Sequence, residues 1–470
     1  MAPRGILSYG AYLPYRRLDR SEIRPVAGTG GGAGSRTVAS YDEDATTMGV
    51  AAARTALAGA PGGVAPASLW FATTSPPYLD KTNATALHAA LRLPAGVPAF
   101  DANGAVRSAV GALRAGLATG TPALVVAGDI RTGRPGSPDE AAGGDGAAAL
   151  LVGTAYDGPL LAEVVATASA TEEFLDRWRT PGDAHSKVWE ERFGETRYVD
   201  LGLAAWHDAL GAAGSAADGV DRVVVATSHV RAGTALGRKL GLGDRLDAGL
   251  DTTVGFTGAA HPALLLARAL DAADPGQTVA LVVLADGADV LVVRTTDALA
   301  AGRPAPSVAD QVAAGGPVPY GKALAWRGYL PVEPPRRPEP ARPSASAAAR
   351  SRDWKFGFVA SEDGAGDVHL PPAPGDDRQR PMADATGTVV TYTVDRLAYS
   401  PSPPVVFAVV DFDGGGRLPV ELTDVDPDDV AIGARVEMTF RKLFTADGIH
   451  NYFWKARPVR TAGAATSEGS

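Results

Sequence analysis

The chain has 470 residues, no cysteine, and 53 acidic against 44 basic side chains, a formal net charge of −9. Without thiols there are no disulfides, thiolate metal ligands or thiol catalysis, and the acidic balance argues against a nucleic-acid binder. With 45% apolar and 21% charged residues the composition is that of a globular protein, too long for one ordinary core. No apolar run approaches the roughly 18–20 residues that span a bilayer. The opening Met1-Ala-Pro-Arg-Gly-Ile-Leu lacks the apolar segment of a secretory signal, so the expected location is cytoplasmic.

In chain order, "TTMGVAAARTALAG" (46–59) reads as a helix, "SLWFATT" (68–74) as a buried strand and "ATALHAALRL" (84–93) as a second helix. "PAFDANGAVRSAVGALRAGLATG" (98–120) predicts a strand, a glycine turn and a helix opening at Arg107-Ser108. Such a corner commonly mounts a nucleophile, yet Asn103, Gly104, Ala105 and Val106 fill the turn. Strands follow at "ALVVAGD" (123–129), "RVVVATS" (222–228) and "VALVVLA" (279–285), with a helix at "HPALLLARALDAA" (261–273). This alternation implies βαβ units around a largely parallel sheet covered on both faces.

The pattern repeats. "LWFATTSPPYLDKTNATALHAALRLP" can be laid on "VVVATSHVRAGTALGRKLGL", and each half closes on an Asp-Gly-Ala turn and a strand, "GDGAAALLVG" (144–153) and "ADGADVLVVR" (285–294). Two similar halves, about 1–165 and 195–298, predict a layered αβαβα body over 1–299. The charged, aromatic insert 171–200 is expected to form surface helices over a cleft. Residues 300–350 form a linker with six prolines from Pro331 to Pro343, strapped to the body through Tyr320, Trp326 and Tyr329. Five strand-like runs in 351–460 predict a small all-β barrel of OB type. The tail 461–470 reads as disordered.

"GILSYGAYLPYRRL", "YDEDATTMGVAAARTAL" (41–57), "FDANGAVRSAVGAL" (100–113), "TSHVRAGTALGRKLGL" (227–242) and "VGFTGAAHPALLLARAL" (254–270) resemble the thiolase superfamily, in its hydroxymethylglutaryl-CoA synthase and ketoacyl synthase III branch. "DVHLPP" (367–372) and "TADGIHNYFWKARP" resemble the OB-fold proteins, usually headed by a zinc ribbon, that accompany thiolases. The resemblance implies a duplicated five-layered thiolase fold followed by an OB barrel, a homodimer, a coenzyme A thioester as ligand, and a place in lipid metabolism. It also implies three catalytic parts: a Cys at a helix N-terminus, a supporting His, and a Glu or Asn that handles the incoming carbanion.

Here the Cys position falls on Val106, the Glu position on Thr74 and the Asn position on Phe256; only His229, at the His position, is kept. The first zinc pair falls on Glu362 and Ala365, and the second within "PGDDRQR" (374–380), which leaves His369 alone and predicts the metal lost. His229 reads either as a donor or base in the pocket or as a histidine that satisfies its own surroundings. Ser108 reads as a helix cap rather than a nucleophile. Asp42, Glu43 and Asp44 read as an acidic helix start, His261 as structural, and His88 and His207 as fillers on helices.

Two functions follow. In one, the protein is a non-catalytic or weakly catalytic partner that binds or channels acyl-CoA for a catalytic thiolase. In the other, it is a Cys-independent lyase cleaving a β-hydroxyacyl-CoA with His229 and Tyr78 as candidates, or a synthase-like acyltransferase.

Overall fold

Runs of Val, Leu and Ala without polar alternation become strands covered on both faces. In the computed structural model, which describes residues 2–376 and 378–460, the first half supplies β1 (Arg4–Tyr12), β2 (Ser68–Thr73), β3 (Ala99–Asn103), β4 (Ala123–Asp129) and β5 (Gly146–Thr154). The second supplies β6 (Ala162–Ala170), β7 (Arg222–Thr227), β8 (Thr278–Leu284) and β9 (Ala288–Thr295). They pair in the order β3-β2-β4-β5-β1-β6-β9-β8-β7. Outward from the seam, both halves read first, last, penultimate, second strand, which is the duplication in topological form. The second half has no described counterpart of β3, and an isolated bridge from Val223 to Leu246 stands beyond β7. The seam pairs only Gly5 with Glu163 and Ile6 with Ala162. A Cβ on Gly5 would lie 2.1 Å from the Ala162 carbonyl oxygen, so this contact requires glycine.

Helices α1 (Ala45–Ala58), α2 (Arg107–Thr119), α3 (Glu191–Ala213), α4 (Val230–Lys239) and α5 (His261–Ala272) make the remaining layers. α1 packs Ala52 and Ala53 among Leu7, Phe71 and Val126 on one side of the first sheet. α2 and α5 share a core with Leu150, Val224 and Leu281, between the two sheets. α3 and α4 bury Tyr198, Trp206 and Leu236 against Val223, Val282 and Val292 on the far side of the second. The result is the α–β–α–β–α stack of a thiolase-like fold.

The insert departs from the expected surface helices. Up to Glu190 it is a loop with one two-stranded ribbon, Arg177–Trp178 against Lys187–Val188. Pro181 and Gly182, the latter at φ +91°, turn the chain there and break any helix. After β9 the chain returns over the first half. The short strand Gly316–Pro317 pairs with Arg16–Asp19, and the Tyr320 and Tyr329 hydroxyls donate to Glu140 and to the Gly133 carbonyl, each at 2.9 Å. Residues 331–344 carry no helix or strand.

The last unit is a closed barrel of β10 (Thr386–Asp395), β11 (Val405–Phe412), β12 (Arg417–Leu422), β13 (Arg435–Ala446) and β14 (Ile449–Pro458), in the order β10-β11-β12-β14-β13. Val389, Val410, Phe440 and Trp454 fill it, as expected of an OB fold. The tail 461–470, read from sequence as disordered, lies outside the described residues. Among those described, no helix is long and apolar enough to cross a membrane.

Candidate functional site

The corner between β3 and α2 has the predicted form. Gly104 turns the chain at φ +113°, and Val106 occupies the N-cap of α2 without a side-chain cap. Ser108 is not the cap. It is the second residue of the helix, its hydroxyl donating to the Asn103 carbonyl at 3.3 Å and accepting from Ala105 N–H at 3.4 Å. Beside it, Arg107 crosses to the second half and bonds the Asp289 carboxylate, the Asp286 carbonyl and the Thr171 hydroxyl at 2.8–2.9 Å. The helix N-terminus that could lower a thiol pKa is present, and the residue at it, Val106, carries no thiol.

Thr74 is held by Asp129 at the end of β4. This fully buried carboxylate accepts from the Thr73, Thr74 and Ser75 hydroxyls and from the Thr74 and Ala259 N–H groups, at 2.6–3.1 Å. Gly258 lies so close that a Cβ there would come within 2.0 Å of the carboxylate. Arg131 donates to the Thr74 hydroxyl at 3.0 Å, and Arg179 of the insert donates to the Thr74 carbonyl. Phe256 is buried. Its ring centroid lies 5.7 Å from the Arg131 guanidinium and 4.8 Å from the His261 ring. Arg131, Arg179 and Phe256, with Asp139, Arg177 and Ser228, line a small recess open to solvent.

His229 is buried and caps α4. Its Nδ1 accepts from Ala232 N–H at 3.2 Å, and Nε2 donates to the Glu191 carbonyl at 2.8 Å, which fixes the tautomer. Its neighbour Ser228, not His229, lines the recess. His261 is also buried, and with no charged partner its burial pushes the imidazole down to about 3, so it is neutral at ordinary pH. His88 lies half-buried and His207 exposed, both on helices.

Asp42, Glu43 and Asp44 start a helix, as expected, and also seat the barrel. Asp44 caps α1 in a capping box with Thr47, while its other oxygen accepts from the Tyr452 hydroxyl of β14 at 2.8 Å. Glu43 pairs with Arg441 of β13, which also bonds Asp424 at 2.6 Å and Tyr12 at 2.9 Å. Asp42 meets Lys455 at 3.0 Å and accepts from Thr423 at 2.8 Å. Burial pushes the Asp42 carboxyl up, but Lys455 and Arg441 more than offset it and hold it well below the usual range. Glu43 goes the other way: burial raises it, and Arg441 only partly compensates. Tyr78 accepts the His450 N–H at 2.7 Å at the same junction.

At the positions the resemblance gives to a zinc ribbon, Glu362 pairs with Arg378 and Arg380 at 3.0 and 3.4 Å, and Ala365 N–H bonds Asp363. His369 lies 3.5 Å from Asp363. The second pair's stretch includes residue 377, which is outside the described residues.

Sequence reasoning missed the arginines. Arg177 and Arg179 alternate in "DRWRTP", the spacing that puts two side chains on one face of an extended strand, and Arg131 follows two residues after the last residue of β4. Chemically the recess offers guanidinium and hydroxyl donors. Among its described lining residues, Thr132, Ser186 and Ser228 carry hydroxyls, and the one carboxylate, Asp139, is held by Arg177 at 2.7 and 2.8 Å. It can hold an oxyanion or a carbonyl oxygen.

Residues 379–441 match the family model described as the ChsH2 C-terminal OB-fold domain. The hydroxymethylglutaryl-CoA synthase of Thermococcus gammatolerans is 29% identical over 326 residues, covering 66% of this chain and 91% of that protein. That of Aeropyrum pernix is 30% identical over 319 residues, covering 64% and 87%. A solved hydroxymethylglutaryl-CoA synthase complexed with CoA superposes with a TM-score of 0.57 at 16% identity, over 68% of this chain and 89% of that one, a likeness of fold. With the layered body, its duplicated topology and this identity over most of a relative's length, the chain belongs to the hydroxymethylglutaryl-CoA synthase family.

Proposed function

We propose that this protein binds an acyl-CoA thioester in its thiolase-like body without forming an acyl-enzyme. In this reading it is a non-catalytic or weakly catalytic partner that holds or channels the thioester for a separate catalytic thiolase in the cytoplasm. The observation that carries the reading is the paired state of the site: valine at the nucleophile corner, and a His229 whose two ring nitrogens both serve the fold. The relatives' names and the CoA in one related structure support the ligand class. A homodimer is supported by β3, an unpaired sheet edge on which Phe100 is exposed beside Trp70.

Calorimetry of the full-length chain with acetyl-CoA and butyryl-CoA tests the reading, followed by co-purification with a Cys-containing thiolase. Saturable binding without CoA release supports it. Failure to bind either thioester sinks it.

One observation favours the lyase reading. Tyr78 stands against His450, whose imidazole burial and then Lys442 shift downward, so a phenol and an imidazole share the domain junction. Cleavage of a β-hydroxyacyl-CoA by the wild type, lost in Tyr78→Phe, would establish that alternative.

A further inference from the structure

A cleft of about 500 Å³ lies between the body and the barrel. The C-terminal half of α1, the returning segment 303–315, the start of β13 and the end of β14 wall it, and none of its lining residues borders the recess beside Thr74. Its three carboxylates are all committed. Asp384 accepts from Arg54 at 2.8 Å, Glu437 accepts from Arg457 at 2.8 Å, and Asp310 accepts from the Ser307 N–H and hydroxyl at 3.0 and 2.8 Å. Two further arginines of the wall, Arg303 and Arg460, have no carboxylate partner among the described residues. Arg303 donates to the Leu270 and Ala273 carbonyls, and Arg460 to the Asp424 carbonyl. The Arg460 guanidinium also lies 3.5 Å from the centre of the Tyr15 ring.

Arg17 stands behind the same wall at Gly315, where a Cβ would come within 2.7 Å of its side chain. It bonds only the Pro14, Arg16 and Gln311 carbonyls, and its buried Nε has no hydrogen-bond partner among the described residues. Burial pushes the Arg17 guanidinium down to about 10 and lowers Arg460 as well, yet a guanidinium at these values stays charged at neutral pH. Three cations thus surround one cleft with neutral partners alone, and an anion entering it offsets their mutual repulsion. A dianion does so best, and the forked N–H groups of arginine fit the oxygens of a phosphoryl group. The cleft is larger than a bare phosphate needs and has the size of a small-molecule site. Ala58, Pro304, Pro306 and Met438 give it an apolar wall for the rest of such a ligand.

We propose that this cleft binds a phosphorylated small molecule, separate from the thioester, with the phosphoryl group on Arg303 and Arg460. The inference does not rest on the thioester reading. Calorimetry of the full-length chain with pyrophosphate, AMP and adenosine tests it, in the wild type, Arg460→Gln and Arg303→Gln, with and without equimolar CoA. Hydrogen exchange of the wild type with pyrophosphate locates the site even where neither variant folds.

Pyrophosphate or AMP should bind and adenosine should not. Arg460→Gln should weaken that binding about 10- to 100-fold, the range for hydrogen bonds to a charged group. Exchange should slow in 303–315 and at the end of β14. Failure of both phosphates to bind, binding that both variants leave unchanged, or protection confined to other segments overturns the proposal. Displacement by equimolar CoA also overturns it, because the cleft would then hold the phosphates of the thioester itself.

Discussion

Replacing Arg441 with methionine removes one of the buried cations that join barrel to body. The Arg441 side chain is fully buried, and those of its partners Glu43 and Asp424 are each 1% exposed. The substitution keeps most of the packing volume but leaves two carboxylates sealed without their cation. Breaking a buried pair in this way costs about 3–5 kcal/mol, roughly two to four powers of ten in the ratio of docked to undocked barrel. The variant should show a separate low-stability transition in denaturant, and faster proteolysis within residues 331–344, which carry no regular structure. The triple variant Arg441→Met, Glu43→Gln, Asp424→Asn should recover much of the loss, because the uncompensated charges are gone. If Arg441→Met unfolds in one transition within about 1 kcal/mol of the wild type, the cluster is solvated in solution and the reasoning is wrong.

Acid should destabilise the fold through His261. Its imidazole is near 3 in the folded chain against about 6.5 unfolded, so below about pH 6.5 only the unfolded state takes the proton. Stability should then fall by about 2 kcal/mol from this group between pH 7 and pH 5, and denaturant midpoints of His261→Gln should lack that part of the slope. Asp129→Asn should cost roughly 3 kcal/mol or more, since an amide cannot accept from all five donors and turns an NH₂ toward some of them; a near-neutral midpoint would show the hub is not needed. Val106→Cys alone should yield no acetyl adduct by intact mass after incubation with acetyl-CoA, because His229 is committed to Ala232 and Glu191 and Phe256 is buried at the position the family resemblance gives to an asparagine. A stoichiometric adduct would mean that only the nucleophile had been lost.

The layered body was legible because its strands are apolar on both faces and its helices are long enough to show a period: "ALVVAGD" and "RVVVATS" became β4 and β7 with little change of boundary. The barrel was legible from alternation and turn residues. The docking of the two was not. Arg441 and Lys455 alternate with Phe440 and Trp454, whose side chains fill the barrel, so they lie on its outer phase and read as solvated charges. Their burial comes from Asp42 and Glu43, some 400 residues earlier in the chain, a contact that local pattern does not encode. The site was half legible. Composition alone settled the missing thiol, while Val106, Thr74, Phe256 and His229 were picked out through the family resemblance. The direction of the His229 ring depends on Glu191, the first residue of a helix 38 positions away, which spacing does not reveal. The insert was misjudged because its charges suggested helix while Pro181-Gly182 made a ribbon that delivers Arg177 and Arg179.

The central claim is thioester binding without acyl transfer. Its most direct test incubates the full-length protein with butyryl-CoA and with β-hydroxybutyryl-CoA, and follows native and denaturing intact mass together with free CoA and aldehyde. The account predicts a complex seen in native spectra that vanishes on denaturation, with CoA and aldehyde at the level of buffer. A covalent adduct, release of CoA, or cleavage to acetyl-CoA and acetaldehyde would contradict it.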